Sequence, residues 1–298
     1  MSESSEQIHS TATTPSPVAP QTPQLQETKY VLHRRFDRMG RLIGDTNMEK
    51  LLRSHVMVIG LGGVGSWAAE ALARSGVGKL TLVDYDEICI TNTNRQIHTI
   101  SGLIGKKKAQ IMAERIQKIN PQIKVEFMPL FYNKDTSEEI LAKNPDYIFD
   151  AIDNMTAKCH LLSTSVNRKI KIVTTGGSAS KMDPTRIQIS DLARTEVDPM
   201  CAIMRKVLRH EYNFPKKEDF GITCVWSPEE PMTPVDLHYD NGQGFKCVCP
   251  QGQNDFNSCE HRLVINGSAA FVTGSFGLAA SSWIVRDIIG HLSNKANS

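Results

Sequence analysis

The sequence predicts an α/β fold in which a doubly wound, mostly parallel sheet of the Rossmann type carries an antiparallel C-terminal extension. Three observations support this prediction. Short β-branched apolar runs alternate with helical stretches over residues 55–177, a glycine-rich loop follows the first of these runs, and the alternation changes after residue 180. Alternating strands and helices are typical of parallel sheets that helices cover on both faces.

The predicted elements follow one another in that alternating order. Apolar runs rich in Val and Ile predict five strands, and apolar residues at the helical period predict the helices between them, with Gly76 and Pro121 as stop signals. We expect strands at 55–60, 79–84, 124–129, 147–152 and 171–177, and helices at 64–76, 105–120, 135–143 and 155–169. Later elements are strands at 186–192 and 220–227, a helix at 198–212 with Asp198 as its cap, and a helix at about 268–289.

Length and composition set the expected domain organisation. The chain has 298 residues, 40% of them apolar and 22% charged, with a net charge of +2. Such a chain can bury a core, and it does not bind nucleic acid through bulk basicity. Residues 1–28 are rich in Ser, Thr, Pro and Gln and are expected to be a disordered tail. Residues 29–180 carry the alternating pattern, and 181–298 belong to the same domain, with a flexible excursion at 228–262.

The same sequence features favour a cytoplasmic protein. No run of about 18 uninterrupted apolar residues is present, so we expect no membrane span. The first residues lack the apolar stretch of a secretion signal. Seven cysteines without a regular spacing fit a reducing compartment better than a disulfide framework.

A glycine-rich loop with the sequence GLGGVG opens the helix after the first predicted strand. Its glycines are Gly60, Gly62, Gly63 and Gly65. Gly60 permits the tight turn, Gly62 lets backbone amides approach a phosphate, and Gly65 lets the helix pack on the strand. Asp84 ends the next strand, where a carboxylate can accept hydrogen bonds from ribose hydroxyls. These features predict an adenosine-containing ligand; the alternative is a glycine turn without a ligand.

A cluster of polar residues follows this carboxylate and comprises Asp86, Asn92, Asn94, Arg95 and Gln96. Amide side chains donate hydrogen bonds, and an arginine holds phosphate oxygens in a bidentate fork. A triphosphate needs such donors, whereas an NAD enzyme has no obvious use for them. The cluster therefore favours ATP over NAD, with the alternative that the asparagines only shape a turn.

Two further segments complete the candidate site. Lys106, Lys107 and Lys108 are expected at a helix start, where a bound anion would offset the helix dipole, and Lys108 is the one expected to point inward. Asp153 and Asn154 follow the fourth strand at the edge where open α/β sheets bind ligands. We expect Asp153 to hold Mg²⁺ against triphosphate oxygens; the alternative is that Asp153 caps the next helix.

Together these segments resemble the ubiquitin-activating type of adenylation domain, of the MoeB and ThiF kind, over about residues 35–180. The resemblance implies ATP-dependent adenylation of a carboxylate by an ATP-binding core at 29–180 and a substrate and dimerisation part at 181–298. It implies that Arg95 and Lys108 contact the triphosphate, that Asp153 handles Mg²⁺, and that the chain forms a homodimer. Arg38 takes the place of an arginine that some members insert into the neighbouring subunit's site.

Within this group the chain is most similar to the tRNA threonylcarbamoyladenosine dehydratases, in segments at 34–44, 60–78, 90–99, 173–195 and 222–229. This similarity implies ATP-dependent cyclisation, with loss of water, of threonylcarbamoyladenosine in the tRNA anticodon loop through an acyl-adenylate. It also implies a possible sulfur-transfer protein partner. The alternatives are an adenylyltransferase for the C-terminus of a sulfur-carrier protein, which the absence of paired CxxC motifs disfavours, and a partner-binding module without turnover.

The cysteines do not predict a zinc site. Four possible metal ligands fall close together as Cys247, Cys249, Cys259 and His261. The CxC spacing is less typical of zinc than CxxC, so surface residues are the favoured interpretation. Cys224 and the cysteines of this cluster are candidate nucleophiles, although ring closure within one substrate requires none. Cys89 and Cys159 are expected to be buried.

Overall fold

The computed structural model describes residues 33–235, 237 and 266–292. The predicted tail at 1–28 and most of the excursion at 228–262 lie outside the described residues. The strands are β1 (His55–Ile59), β2 (Lys79–Val83), β3 (Lys124–Met128), β4 (Tyr147–Asp150), β5 (Lys171–Thr175), β6 (Gln188–Asp191) and β7 (Thr223–Trp226). The α-helices are α1 (Asp37–Ile43), α2 (Asp45–Arg53), α3 (Gly65–Ser75), α4 (Lys108–Ile119), α5 (Ser137–Leu141), α6 (Met155–Asn167), α7 (Pro199–Glu211) and α8 (Ala270–Ile288).

Within these residues the strands form one seven-stranded sheet in the order β3-β2-β1-β4-β5-β7-β6. Neighbouring strands are parallel from β3 to β7, and β6 runs antiparallel to β7. The predicted doubly wound sheet with an antiparallel extension is therefore confirmed. The chain moves outward from β1 to β3 and then returns to place β4 on the other side of β1, so a crevice opens between the carboxyl ends of β1 and β4.

The core lies on both faces of this sheet. All five residues of β1 are buried, as expected for a central strand that helices cover on both sides. On one face α3 packs against α8, where the Ser281 hydroxyl donates a hydrogen bond to the Ala68 carbonyl at 3.1 Å. Asp198 caps α7 as predicted, by accepting from the Cys201 N–H at 3.0 Å. None of the described helices combines the length and apolar character that crossing a membrane requires.

One helix start differs from the prediction. The helix expected from Gly105 begins three residues later, at Lys108. Gly105 has a φ of +84°, and Lys107 forms an isolated antiparallel bridge with Glu87. This long-range pairing holds Lys107 in an extended conformation, so α4 can begin only at Lys108. The dipole of α4 therefore begins at the one lysine of this segment that is buried.

Candidate functional site

The glycine loop joins β1 to α3 at the carboxyl edge of the sheet. Gly60 has a φ of +90°, and a Cβ there would lie 2.6 Å from the carbonyl oxygen of Ala151. A Cβ at Gly65 would lie 1.8 Å from the carbonyl oxygen of Gly60. A Cβ at Gly62 would meet nothing within 4 Å. The loop is thus closely packed on its inner side and open on its outer side, as a loop that admits a phosphate must be.

Gly65→Ala should disrupt both the loop and the packing of α3. The added methyl group collides with backbone, so the loop or the helix must move, and we expect the free energy of unfolding to fall by about 1–3 kcal/mol. ATP binding should weaken in the same variant. Gly62→Ala is the matched control, because its methyl group points into open space and should leave thermal unfolding unchanged. Wild-type stability and ATP affinity in Gly65→Ala would show that the close approach is unimportant.

Three charged side chains lie together beneath this loop. The Asp84 carboxylate accepts hydrogen bonds from the backbone N–H groups of Leu61 at 2.6 Å and Asp86 at 2.8 Å. Lys108 Nζ lies 2.7 Å from Asp86 Oδ2, and the lysine side chain is only 7% exposed. Lys108 is thus a buried cation at the start of α4, with two carboxylates beside it.

The pKa values of this cluster follow from burial and charge. Burial raises the pKa of the Asp84 carboxyl above its usual value, and the nearby Lys108 opposes that rise. Burial alone would lower the pKa of the Lys108 ammonium, but the Asp84 and Asp86 carboxylates outweigh it and raise the pKa. Lys108 therefore stays positively charged near neutral pH. Lys107 instead pairs with Glu87 at 3.2 Å, outside the cluster.

Arg95 lies against the glycine loop. A Cβ at Gly63 would lie 3.1 Å from Arg95 Cγ, and the Arg95 carbonyl accepts a hydrogen bond from Trp67 Nε1 at 2.9 Å. Its Nη1 donates to the Thr91 carbonyl at 3.0 Å and to Asn94 Oδ1 at 3.1 Å. The structure therefore brings Arg95 and the glycine loop together, as the sequence analysis expected.

The amide side chains near Arg95 differ in what they contact. Asn92 Oδ1 accepts from the Cys89 N–H at 3.3 Å, and Asn94 Nδ2 donates to the Ser268 carbonyl at 2.8 Å. Both asparagines thus shape the local backbone, which was the alternative interpretation. Gln96 is buried, and its Oε1 has no hydrogen-bond partner within the described residues. A buried acceptor left without a partner is costly, which is consistent with a role for Gln96 in ligand binding.

Asp153 and Asn154 lie just beyond β4. Asn154 is the residue that caps α6, since its Oδ1 accepts from the Ala157 N–H at 3.0 Å. The alternative that Asp153 caps this helix is therefore wrong, because its neighbour occupies that position. The Asp153 side chain is exposed, and its charge contributes to the raised pKa of Lys108.

The chemistry of these residues fits Mg²⁺. An exposed carboxylate is the hard oxygen ligand that Mg²⁺ prefers, and protein sites for Mg²⁺ commonly combine one or two carboxylates with substrate phosphates. In the described part of the chain, no group of three or more His, Cys, Asp or Glu side chains could hold a metal ion by itself. A metal at Asp153 would therefore be shared with a bound triphosphate.

Arg38 lies at the other end of the domain. It is exposed on α1, two residues after Phe36. Phe36 packs 3.6 Å from the Cβ position of Gly76 at the end of α3. Arg35 Nη1 donates to the carbonyl of Ile119 at the end of α4. The eleven residues of α3 rise about 1.5 Å each, so roughly 16 Å of helix separates these contacts from the glycine loop. The structure does not bring Arg38 to the site of its own chain.

The described cysteines are buried. Cys89 and Cys159 are among the core residues, as predicted. Cys224 on β7 is fully buried, and burial raises the pKa of its thiol well above the usual value. Such a thiol is poorly suited to act as a nucleophile, which argues against Cys224 in that role. The remaining members of the predicted cluster, Cys247, Cys249, Cys259 and His261, lie outside the described residues.

One charged pair at the site was not predicted from the sequence. Lys158 on α6 lies 2.8 Å from Asp150 at the end of β4, and both side chains are fully buried. A lysine in a helix is usually solvated, so the residue type did not predict that Lys158 is buried. Its apolar neighbours Cys159, Leu161 and Leu162 were the only sequence signal of burial.

Comparison with known proteins agrees with this geometry. A family model described as the ThiF family matches residues 36–298. The chain is 39% identical to the tRNA threonylcarbamoyladenosine dehydratase of Haemophilus influenzae over 257 residues, which span 86% of this chain and 93% of that protein. It resembles the crystal structure of the Escherichia coli tRNA N6-threonylcarbamoyladenosine dehydratase in complex with ATP, with a TM-score of 0.74, 35% identity and coverage of 87% of this chain and 96% of that one.

Sulfur-carrier enzymes match over a shorter part. The sulfur carrier protein ThiS adenylyltransferase of Escherichia coli is 32% identical over 126 residues, which are 42% of this chain and 50% of that protein. The dehydratase match thus extends over about twice as much of the chain as this sulfur-carrier match. Because the family model covers nearly all of the chain from Phe36 onward, the chain belongs to the ThiF family.

Proposed function

We propose that this protein is an ATP-dependent tRNA threonylcarbamoyladenosine dehydratase that works through an acyl-adenylate. The near full-length similarity to proteins of that name supports the substrate, and the ATP complex of a similar structure supports the nucleotide. The observation that carries the proposal is the buried, charged Lys108 below a glycine loop with an open outer side. A cation and free loop amides at one sheet edge suit a triphosphate.

The glycine loop and the polar side chains at the carboxyl edge of the sheet bind the nucleotide. The backbone amides of Gly62, Gly63 and Gly65 and the N-terminus of α3 receive phosphate oxygens. Gly60 instead shapes the turn, since its N–H donates to the Val83 carbonyl at 2.8 Å. Asp84 accepts hydrogen bonds from the ribose hydroxyls. Asp86 holds Lys108 in place through their 2.7 Å ion pair. Asn154 and Gln96 complete the polar lining of the nucleotide site, whereas Asn92 shapes the backbone beside it.

The chemical step uses the two cations. Arg95 and Lys108 neutralise the charge that builds up on the phosphates as a carboxylate oxygen of the threonylcarbamoyl group attacks the α-phosphorus of ATP. Pyrophosphate leaves, and the carboxylate becomes an acyl-adenylate. Asp153 would hold Mg²⁺ together with phosphate oxygens, and Mg²⁺ supplies further charge neutralisation there when bound.

Ring closure then proceeds within one substrate. The carbamoyl group bonds to the activated carbonyl carbon and loses a proton, while AMP departs with one oxygen of the original carboxylate. The net change in the nucleoside is the loss of one water. Since both reacting groups belong to the same molecule, holding them in place replaces a second encounter and no enzyme nucleophile is required.

In a homodimer, a second subunit can contribute Arg38 to the site. Arg38 lies about 16 Å of helix away from its own glycine loop, so it can serve the site only from a second copy. We propose that each site takes Arg38 from the partner subunit. We propose a cytoplasmic location from the seven irregularly spaced cysteines, which fit a reducing compartment. A sulfur-transfer protein partner is an expectation from the family alone.

The proposed reaction is tested by mass spectrometry of nucleosides. Incubation of the protein with ATP, Mg²⁺ and tRNA that carries threonylcarbamoyladenosine should give a nucleoside lighter by one water. An unchanged nucleoside under conditions where ATP binds would reject this function. ATP–pyrophosphate exchange that depends on the C-terminus of a sulfur-carrier protein would instead favour the adenylyltransferase.

A further inference from the structure

A fully buried ion pair lies beneath the segment that carries Asp153. The ammonium of Lys158 lies 2.8 Å from Asp150 Oδ2, and neither side chain is exposed. The hydroxyl of Thr174 on the neighbouring strand donates to the same Asp150 oxygen at 2.6 Å. Because no part of Lys158 reaches solvent, it cannot touch a substrate, and the proposed chemistry gives it no role.

The ion pair fixes the backbone immediately before Asp153. The N–H of Ile152 donates to Asp150 Oδ1 at 3.0 Å, and Lys158 Nζ donates to the Ile152 carbonyl at 3.2 Å. Both polar groups of the Ile152 backbone are therefore tied to the ion pair. The peptide that leads into Asp153 cannot turn without breaking one of these bonds.

The rest of segment 151–154 is held as well. The Ala151 N–H donates to the Ile59 carbonyl at 2.9 Å, and the Ala151 carbonyl borders the tight turn at Gly60. On the other side Asn154 caps α6. Asp153 is thus an exposed residue between two anchored neighbours. This arrangement limits the directions its carboxylate can take.

Stability alone does not explain such a pair. Removing two charges from water costs several kcal/mol for each ion, and apolar residues of similar size often replace a buried pair without loss of stability. The hydrogen bonds from Ile152 and Thr174 give the pair something an apolar pair could not supply, which is a fixed direction for segment 151–154.

We propose that Lys158, with Asp150, is a positioning residue that orients the Asp153 carboxylate for Mg²⁺ bound with ATP. The inference rests on the proposed function only through the binding of Mg²⁺ and ATP, and not through the tRNA reaction. Groups behind a metal ligand commonly change metal affinity by about 10- to 100-fold when they are removed. Loss of Lys158 should therefore weaken the contribution of Mg²⁺ to ATP binding.

The test measures ATP affinity of the full chain by calorimetry, with Mg²⁺ and with the metal chelated. We expect wild type to bind ATP more tightly with Mg²⁺. In Lys158→Met this gain should fall by about 10-fold, while the affinity without Mg²⁺ stays within about twofold of wild type. A full gain from Mg²⁺ in Lys158→Met would overturn the inference, as would a wild-type protein that gains nothing from Mg²⁺.

Lys181→Met is the matched control. Lys181 Nζ lies 2.6 Å from Asp198 Oδ2, and this pair is as fully buried as the first, but Asp198 caps α7 rather than bordering Asp153. Both lysine variants should lose a similar amount of thermal stability, and Lys181→Met should keep the full gain from Mg²⁺. Equal loss of the gain in both variants would mean general destabilisation and would also overturn the inference.

The double variant Asp150→Asn with Lys158→Met separates charge from position. It leaves no uncompensated buried charge, so it should fold more stably than Lys158→Met and serves for the comparison if that variant does not fold. We expect its gain from Mg²⁺ to remain reduced, because the bond from Lys158 to Ile152 is still missing. Complete recovery of the gain would contradict a positioning role. A failed tRNA assay would reject the proposed function and leave these binding results unaffected.

Discussion

Arg95→Ala should lose cyclisation of the tRNA nucleoside and keep its fold. Removing one group that stabilises charge in a transition state commonly costs about 100- to 1,000-fold in turnover, and we expect a loss of that size. The side chain lies against the glycine loop, and its bonds to the Thr91 carbonyl and to Asn94 Oδ1 lie in an exposed region. The free energy of unfolding should therefore change little, by about 0.5 kcal/mol.

Turnover and thermal unfolding of the same preparations check this prediction. Arg53→Ala is the matched control, because Arg53 is 77% exposed and pairs with Glu49 at the opposite edge of the sheet. It should turn over as wild type does. Arg95→Lys keeps the charge and loses the planar fork, so it should recover only part of the activity. Full activity in a folded Arg95→Ala protein would remove Arg95 from the mechanism.

Lys108→Met should lose both activity and stability. The ammonium is the counter-ion of Asp84 and Asp86, and breaking a buried pair leaves uncompensated charge, which can cost up to about 3 kcal/mol here. Lys108 holds down the pKa of Asp84, which burial raises. Without Lys108 that pKa rises further, and the carboxyl that should accept from the ribose becomes easier to protonate. ATP affinity should fall accordingly.

The pH dependence of this variant has a definite sign. A carboxyl whose pKa is higher in the folded than in the unfolded state binds protons on folding, so its penalty grows as pH rises from its unfolded value through the raised folded value. In wild type Lys108 offsets that penalty. The stability deficit of Lys108→Met should therefore be larger at pH 8 than at pH 5, as measured by thermal unfolding. An equal deficit at both pH values would contradict the assigned coupling.

Local patterns explain why the sheet and the nucleotide-binding edge were predictable. The alternation of β-branched runs and helices reports which segments are buried, and the glycine pattern reports a close backbone approach. Both signals are contained in a few adjacent residues. Arg95, Lys108 and Asp153 could therefore be selected before any contact was known. The inward direction of Lys108 was predictable because it precedes Ala109, at the edge of the apolar stripe formed by residues 109, 112 and 116 of the helix.

Other features depend on contacts between distant segments. The start of α4 was predicted too early because the bridge from Lys107 to Glu87 joins residues twenty apart. The cap of α6 falls to Asn154 rather than Asp153, and adjacent cap residues cannot be separated by type alone. The burial of Lys158 and the position of Arg38 at the far end of the domain appear only when the helices are packed on the sheet.

An oxygen-labelling experiment tests the acyl-adenylate most directly. The tRNA substrate would carry ¹⁸O in the carboxylate of its threonylcarbamoyl group. The masses of the released nucleotide and phosphates would be measured by mass spectrometry after one turnover. If the carboxylate attacks the α-phosphorus of ATP, one ¹⁸O atom must appear in AMP. Recovery of the label in inorganic phosphate, with ADP as the other product, or in no phosphate at all would contradict the proposed chemistry.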